Sequence, residues 1–182
     1  MDIFESLANL ETNQDIHCGR LMVLLAAFSG EDGKGEIEGL TKLVKLDFFL
    51  RYPVMLERAL AIRKRSIKAA DVQDYERNSV ESKMVRYRYG PWDHRYWQFL
   101  AVLQGKGLIQ IRRQGIGRVF GLTANGLRVA QTLTDSSEYA VIAKRANVLR
   151  DSLNLTATGL MNFVYATFPE IASLKMNEKI ES

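Results

Sequence analysis

Residues 84–133 constrain the fold of this chain more than any other stretch. Val85, Tyr87 and Tyr89 alternate with Met84, Arg86 and Arg88, which is the two-residue period of a strand. Gly90-Pro91 ends that run. Asp93 is placed to cap a helix over 94–106 by accepting a bond from a free backbone N–H. Gly105 and Gly107 stop that helix. Leu108–Ile111 and Val119–Leu122 then read as the two strands of a hairpin around a loop, Arg112–Arg118, rich in arginine and glycine. Thr123 caps a helix over 123–133. The order strand, turn, helix, hairpin, helix is the back half of a winged helix. The fold class expected is therefore mainly α with a small β-hairpin wing: a winged helix-turn-helix with extra N- and C-terminal helices.

Helical periodicity extends to both sides of this stretch. Ile16, Leu21, Leu24, Leu25 and Phe28 form a broad stripe over 14–29. The glycines and charges of Gly30–Gly35 favour a loop after it. A second helix is predicted over 38–51, with Leu40, Leu43, Val44, Leu46 and Leu50 along its buried side and Thr41, Lys42, Lys45 and Asp47 on its polar one. Pro53 suits the first turn of a third helix, over 54–66, where its missing N–H is not needed. Residues 64–83 are charged and poor in apolar groups, and read as a connector with a short helix near 69–77. Two more helices are predicted over 136–153 and 156–168. The division expected is a winged-helix domain over 1–135 and a helical extension over 136–182, packed on that domain or on a partner.

Charge is distributed unevenly along the 182 residues. The net formal charge is only +4. Residues 51–118, however, hold 15 Lys/Arg against 6 Asp/Glu, and the remainder holds 10 against 15. A basic centre between acidic flanks points to a polyanion-facing surface. No apolar run approaches the roughly 18 residues of a membrane span. The lead Met1-Asp-Ile-Phe-Glu is acidic, unlike a signal peptide, and the single Cys18 rules out an internal disulfide. These features make a cytoplasmic protein the expectation, with no membrane partner.

Motifs for catalysis are missing from the sequence. A phosphate-binding loop needs a glycine, four residues, then Gly-Lys-Ser/Thr. Here Gly35 follows Gly33-Lys34, and Phe28 stands where the first glycine belongs. Gly115-Ile-Gly117 lies between two predicted strands, with no helix N-terminus to face a pyrophosphate. His17 and Cys18 adjoin in sequence, but neighbours on a helix point in different directions. Two histidines and one cysteine make a poor transition-metal set. The expectation is a protein that is not an enzyme and that uses no cofactor or metal.

Binding is where the residues concentrate. Arg112, Arg113 and Arg118 surround the two glycines of the wing, and Arg86 and Arg88 share one face of the strand before it. Guanidinium groups so placed pair with phosphates. These five arginines are the candidate contacts to double-stranded DNA. The helix over 94–106 occupies the place of a recognition helix but offers few polar groups: His94, Arg95, Gln98 and Gln104. Tyr96, Trp97, Phe99, Leu100, Val102 and Leu103 take up much of its circumference, which suits packing or protein docking better than base reading. Trp92, Tyr96 and Trp97 have two readings, as core and as partner hot spot. Trp92, Arg95, Tyr96 and Trp97, with Leu160 and Phe163 on the last helix, are the candidate partner interface.

Three runs carry a family resemblance: Leu40–Pro53 (LTKLVKLDFFLRYP), Val85–Tyr96 (VRYRYGPWDHRY) and the wing ending Phe120–Gly126 (FGLTANG). Over about residues 14–135 the chain resembles the middle component of ABC-three-component systems, which include the Lamassu-type bacterial anti-phage defence complexes. The resemblance implies a non-catalytic subunit that bridges an SMC/Rad50-like ATPase and an effector, often a nuclease. It implies a hetero-complex and transfers no catalytic residue. DNA contact by the arginines is inferred from charge alone. A transcriptional regulator of winged-helix type, binding an operator as a homodimer, is the alternative that the same wing supports.

Overall fold

A computed structural model of the chain describes residues 14–77 and 95–169. The strand expected over 84–89, the Asp93 cap and the residues Arg86, Arg88 and Trp92 lie outside the described residues. The described part is mainly helical, with one small three-stranded antiparallel sheet.

Helix α1 (Gln14–Ser29) is the central element. It touches helices on several sides as well as the sheet, and every residue from His17 to Leu25 is buried. The stripe read from the sequence is thus too narrow. Two local features let the polar side of α1 be enclosed. Gly19 admits the ring of Tyr139 so closely that a Cβ there would stand 2.1 Å from the tyrosine oxygen. Arg20 is matched by a buried acid, described below.

The helix expected from residue 38 begins later. Ile37–Glu38 form a two-residue strand, β1, and Gly39, with φ 86°, separates it from α2 (Leu40–Arg51). The predicted polar side of α2 is also buried. Lys42, Lys45 and Asp47 are nearly inaccessible, whereas Leu40 and Val44 are only half-buried. Each polar group has its own partner. Lys42 Nζ donates to Asn154 Oδ1 (2.7 Å), Lys45 Nζ lies 5.0 Å from the centre of the Tyr165 ring, and Asp47 is held by Arg20 and Tyr96. Burial lowers the pKa of both lysines from its ordinary value.

Pro53 opens α3 (Pro53–Ile62), as its fixed φ favours. The helix stops short of residue 66 because Lys64 turns left-handed, at φ 53°. A 3₁₀ turn (Ile67–Ala70) and the short α4 (Asp74–Arg77) follow. Arg145 clamps both to α7 (Ala140–Leu153): its guanidinium donates to the carbonyls of Ala70 and Asp71 and to both Glu76 carboxylate oxygens.

The second half runs α5 (Arg95–Gly105), β2 (Ile109–Gln114), β3 (Gly117–Leu122) and α6 (Ala124–Thr134). The strand order is β1-β3-β2, with Ile37 and Ile111 both opposite Phe120. Thr123 caps α6 as expected. Its hydroxyl accepts from the Gly126 N–H (3.0 Å) and donates to the Gly107 carbonyl (2.6 Å), which ties the helix start to the start of the hairpin. Gly126 lets that helix rest on backbone, since a Cβ there would be 1.8 Å from the Leu108 oxygen. Finally α7 and α8 (Ala157–Thr167) contribute Ala146, Leu149, Leu153, Leu160 and Val164 to the same apolar cluster as Leu21, Leu24 and Phe49. Among the described residues no helix is long and apolar enough to cross a membrane.

Candidate nucleic-acid interface

The hairpin extends further than its apolar residues indicate. Pairing continues through Arg112↔Val119 and Arg113↔Arg118 to Gln114↔Gly117, so the expected seven-residue loop shrinks to a two-residue turn, Gly115-Ile116. Gly115 takes φ 60° while Ile116 stays outside the left-handed region, the pattern of a type II′ turn, whose twist matches paired strands. The three arginines therefore stand on strands with fixed register. Ile116, at the tip, is fully exposed.

Alternation assigns the arginines to two faces. Arg113 and Arg118 share the face of Ile111 and Phe120, beyond the point where the core ends. Like charges directly opposite each other repel, a cost of a few tenths to about 1 kcal/mol that an anion between them would remove. Arg118 lies with its guanidinium carbon 5.1 Å from the centre of the Trp97 ring, and Trp97 in turn packs on Phe120. Arg113 Nε donates to the Gly115 carbonyl at 3.3 Å, leaving most of its guanidinium to solvent.

Arg112 is on the opposite face and is already engaged. Its guanidinium forks onto the Glu36 carboxylate, at 3.0 and 2.5 Å. The contact crosses the central strand where Gly121 has no side chain. A Cβ there would stand 2.9 Å from Glu36 Cγ. Of the three wing arginines proposed from the sequence, then, two face outward together and one is neutralised. The Glu36 partner is 76 residues distant in sequence, and no local spacing could have signalled it. A groove of about 560 Å³ runs beside this hairpin, lined by Leu40, Trp97, Arg113, Ile116 and Arg118 among others.

Helix α5 forms one wall of the site. Tyr96, Phe99, Leu100 and Leu103 are buried, and the side left to solvent carries Trp97, Gln98, Ala101 and Gln104. Trp97 is 41% exposed. Arg95 is half-buried on the first turn. Tyr96 is turned away from any partner, because its hydroxyl donates to Asp47 Oδ2 at 2.5 Å inside the protein. The same carboxylate receives Arg20 at 2.5 and 2.9 Å, and Arg20 Nη2 also donates to His17 Nδ1 at 2.9 Å. His17 stacks on Phe99 (4.7 Å between centroids). Burial alone would raise the Asp47 carboxyl, but Arg20 and the Tyr96 hydroxyl outweigh it and hold the acid below the usual carboxylate value. Burial and the Asp47 charge push Tyr96 well above the ordinary tyrosine value. Leu160 is likewise fully enclosed, with Phe163 half-buried beside the same core. Tyr96 and Leu160, for which the sequence leaves packing and a partner interface both open, are core residues, and of the candidate interface set Trp97 alone is both described and exposed.

Among the described residues, no group of three His, Cys, Asp or Glu is placed to hold a metal ion. Comparison with protein-family models, with characterised proteins and with solved structures finds no match to this chain.

Proposed function

We propose that this chain is a non-catalytic adaptor subunit of an anti-phage defence complex, bridging an SMC/Rad50-like ATPase and an effector nuclease and touching DNA without regard to sequence. In this reading α5, the hairpin β2–β3 and α6 are the recognition-position helix, wing and closing helix of a winged helix. The observation that carries the DNA part is the pairing of Arg113 with Arg118 across the hairpin, outward of Trp97 and next to a fully exposed tip. Two arginines at directly opposed positions of a hairpin suit the phosphates of a duplex, and phosphate contacts carry no base information. The solvent side of α5 supports the same conclusion. Trp97, Gln98, Ala101 and Gln104 present no formal charge and only two groups able to read a base edge.

The test has two arms on the full chain. Co-expressed with an ATPase encoded beside it, the chain should co-purify as a hetero-complex. Alone, it should bind unrelated duplexes with similar affinity that falls steeply with salt. Preference for one palindromic duplex by three or more orders of magnitude would replace the adaptor with the operator-binding homodimer.

A further inference from the structure

The exposed large apolar side chains of the described residues fall into two groups. Trp97, on α5, and Ile116, at the hairpin tip, line the hairpin groove. Ile62, Ile67 and Tyr75 belong to the turn after α3 and the short α4 beyond it. That turn is the second concentration of unpaired positive charge. Residues 63–68 contain four Lys/Arg and no acid, and every residue from 61 to 68 is exposed. Lys64, Arg65 and Lys68 make no ion pair or side-chain hydrogen bond among the described residues.

The turn is held in one shape. The Lys64 N–H donates to the Ala61 carbonyl (3.0 Å) and the Arg65 N–H to the Leu60 carbonyl (2.9 Å), the two bonds of a Schellman helix ending. Glycine is the usual resident of the left-handed position in that motif, because a side chain there is strained. Here a lysine occupies it, at φ 53°. A charge kept at a strained position is an outlier that asks for a use. Arg63 pins the turn sideways, its Nε donating to the Ser152 carbonyl at the end of α7 (3.2 Å). Neighbouring Asp151 is engaged by Arg150 at 2.8 Å, which lessens its pull on the turn.

A chain of contacts connects this turn to the hairpin groove. Two residues beyond Ser152, Asn154 holds Lys42 on the first turn of α2. Ala157 lies 3.6 Å from where a Cβ of Gly39 would be, and Gly39 and Leu40 line the groove beside Arg113 and Arg118. The turn and the groove are thus linked through the α7–α8 connection and the start of α2.

We infer that the turn Arg63–Lys68 is a second contact for the phosphate backbone of a nucleic-acid duplex, engaged together with the hairpin arginines. This rests on the proposed DNA contact and extends it from one point to two. A duplex presents a phosphate charge about every 1.7 Å of its axis, so it rewards cations spread over two projecting features. Ile62 and Ile67, 53% and 49% exposed, fall short of the broad apolar face that an interfacial membrane segment uses.

The full chain tests this with a Lys64→Gly, Arg65→Gln double variant beside an Arg113→Ala, Arg118→Ala double variant. Glycine fits the left-handed position, so the turn variant should melt no lower than the parent. Its affinity for two unrelated 30-base-pair duplexes should fall about tenfold at ~0.1 M salt, and the slope of log affinity against log salt should drop by about 2. A parental slope in the turn variant, with loss in the hairpin variant, overturns the second contact and leaves the hairpin reading standing. Loss in the turn variant alone keeps the second contact and removes the hairpin. No loss in either, or no duplex binding by the parent, rejects both. Phosphatidylserine vesicles supply the last arm. If the turn variant loses vesicle binding and keeps duplex binding, the surface is a membrane contact and the inference fails.

Discussion

Arg20 and Arg113 are chemically identical side chains at opposite ends of what a protein can do with a guanidinium. Arg20 is enclosed and matched bidentately to Asp47, and its Nη2 also donates to His17 Nδ1. Arg145 repeats the pattern with Glu76 and two backbone carbonyls. On the hairpin, Arg113 and Arg118 are cross-strand partners with, among the described residues, no acid on either and a carbonyl and an indole ring for company. The interior arginines cannot be spared for a ligand without leaving a buried acid unpaired. Arg113 and Arg118 can turn to a ligand without stranding any buried charge. In a basic protein, therefore, total charge says little about binding, and what separates a structural cation from a functional one is whether the fold supplies its counter-ion.

The largest test of this contrast is to remove the counter-ion inside. Asp47→Ala should destabilise the chain by about 3–5 kcal/mol, because it strands the buried Arg20 charge. Urea unfolding measures it, and a loss under about 1 kcal/mol would mean that water or a shifted partner reaches Arg20. The network also predicts pH limits of opposite sign. Asp47 titrates lower folded than unfolded, so its stabilisation is present above about pH 4 and is lost as pH falls through the folded value. Tyr96 titrates higher folded than unfolded, so its contribution is complete below about pH 10 and is lost as pH rises toward the folded value. Tyr96→Phe should flatten the alkaline limb of the stability profile and weaken the acid limb in part, because the lost hydroxyl helps hold Asp47 low while Arg20 remains.

The same contrast explains which features the sequence discloses. Elements with strong local signals are legible: the helix stripes, the Pro53 start, the Thr123 cap, and the hairpin with its glycine turn. Features set by distant partners are not. Lys42, Lys45 and Asp47 look like a solvent-facing side until Tyr165, Arg20 and Tyr96 arrive from other helices and Asn154 from the α7–α8 connection. A strand of two residues, Ile37–Glu38, is too short for any periodicity to register. In the candidate site, the residue types and their clustering were visible, but their division into free and neutralised members was not. Arg112 and Arg113 adjoin in sequence, and only the alternation of the strand sends the first to Glu36 and the second to solvent.

Outside, the expected effects are smaller and change binding more than stability. Arg113→Ala with Arg118→Ala should alter unfolding free energy by no more than about 1 kcal/mol, because loss of the Arg118–Trp97 contact is offset by relief of the repulsion between the two cations. Duplex affinity should fall about tenfold, equally for unrelated sequences, with a salt slope reduced by about 2. Fluorescence anisotropy over a salt series reads both quantities. Loss confined to one sequence would assign the pair to base reading and favour the operator-binding alternative.

The smallest effect is also the sharpest, because it runs upward. Glu36 holds Arg112 in a surface ion pair whose arginine side chain is more than half exposed. Such pairs contribute about 0–1 kcal/mol to stability, so Glu36→Gln should leave folding almost unchanged. It removes a negative charge beside the hairpin and leaves Arg112 an uncompensated cation on the hairpin's other face. Affinity for any duplex should then rise about two- to threefold, with a salt slope steeper by nearly 1. Arg112→Ala, by contrast, should cost little affinity in the parent and abolish the gain in the Glu36→Gln background. If Arg112→Ala alone weakened binding as much as the loss of Arg113, the ion pair would have to open on the duplex. The acid would then gate the arginine instead of silencing it.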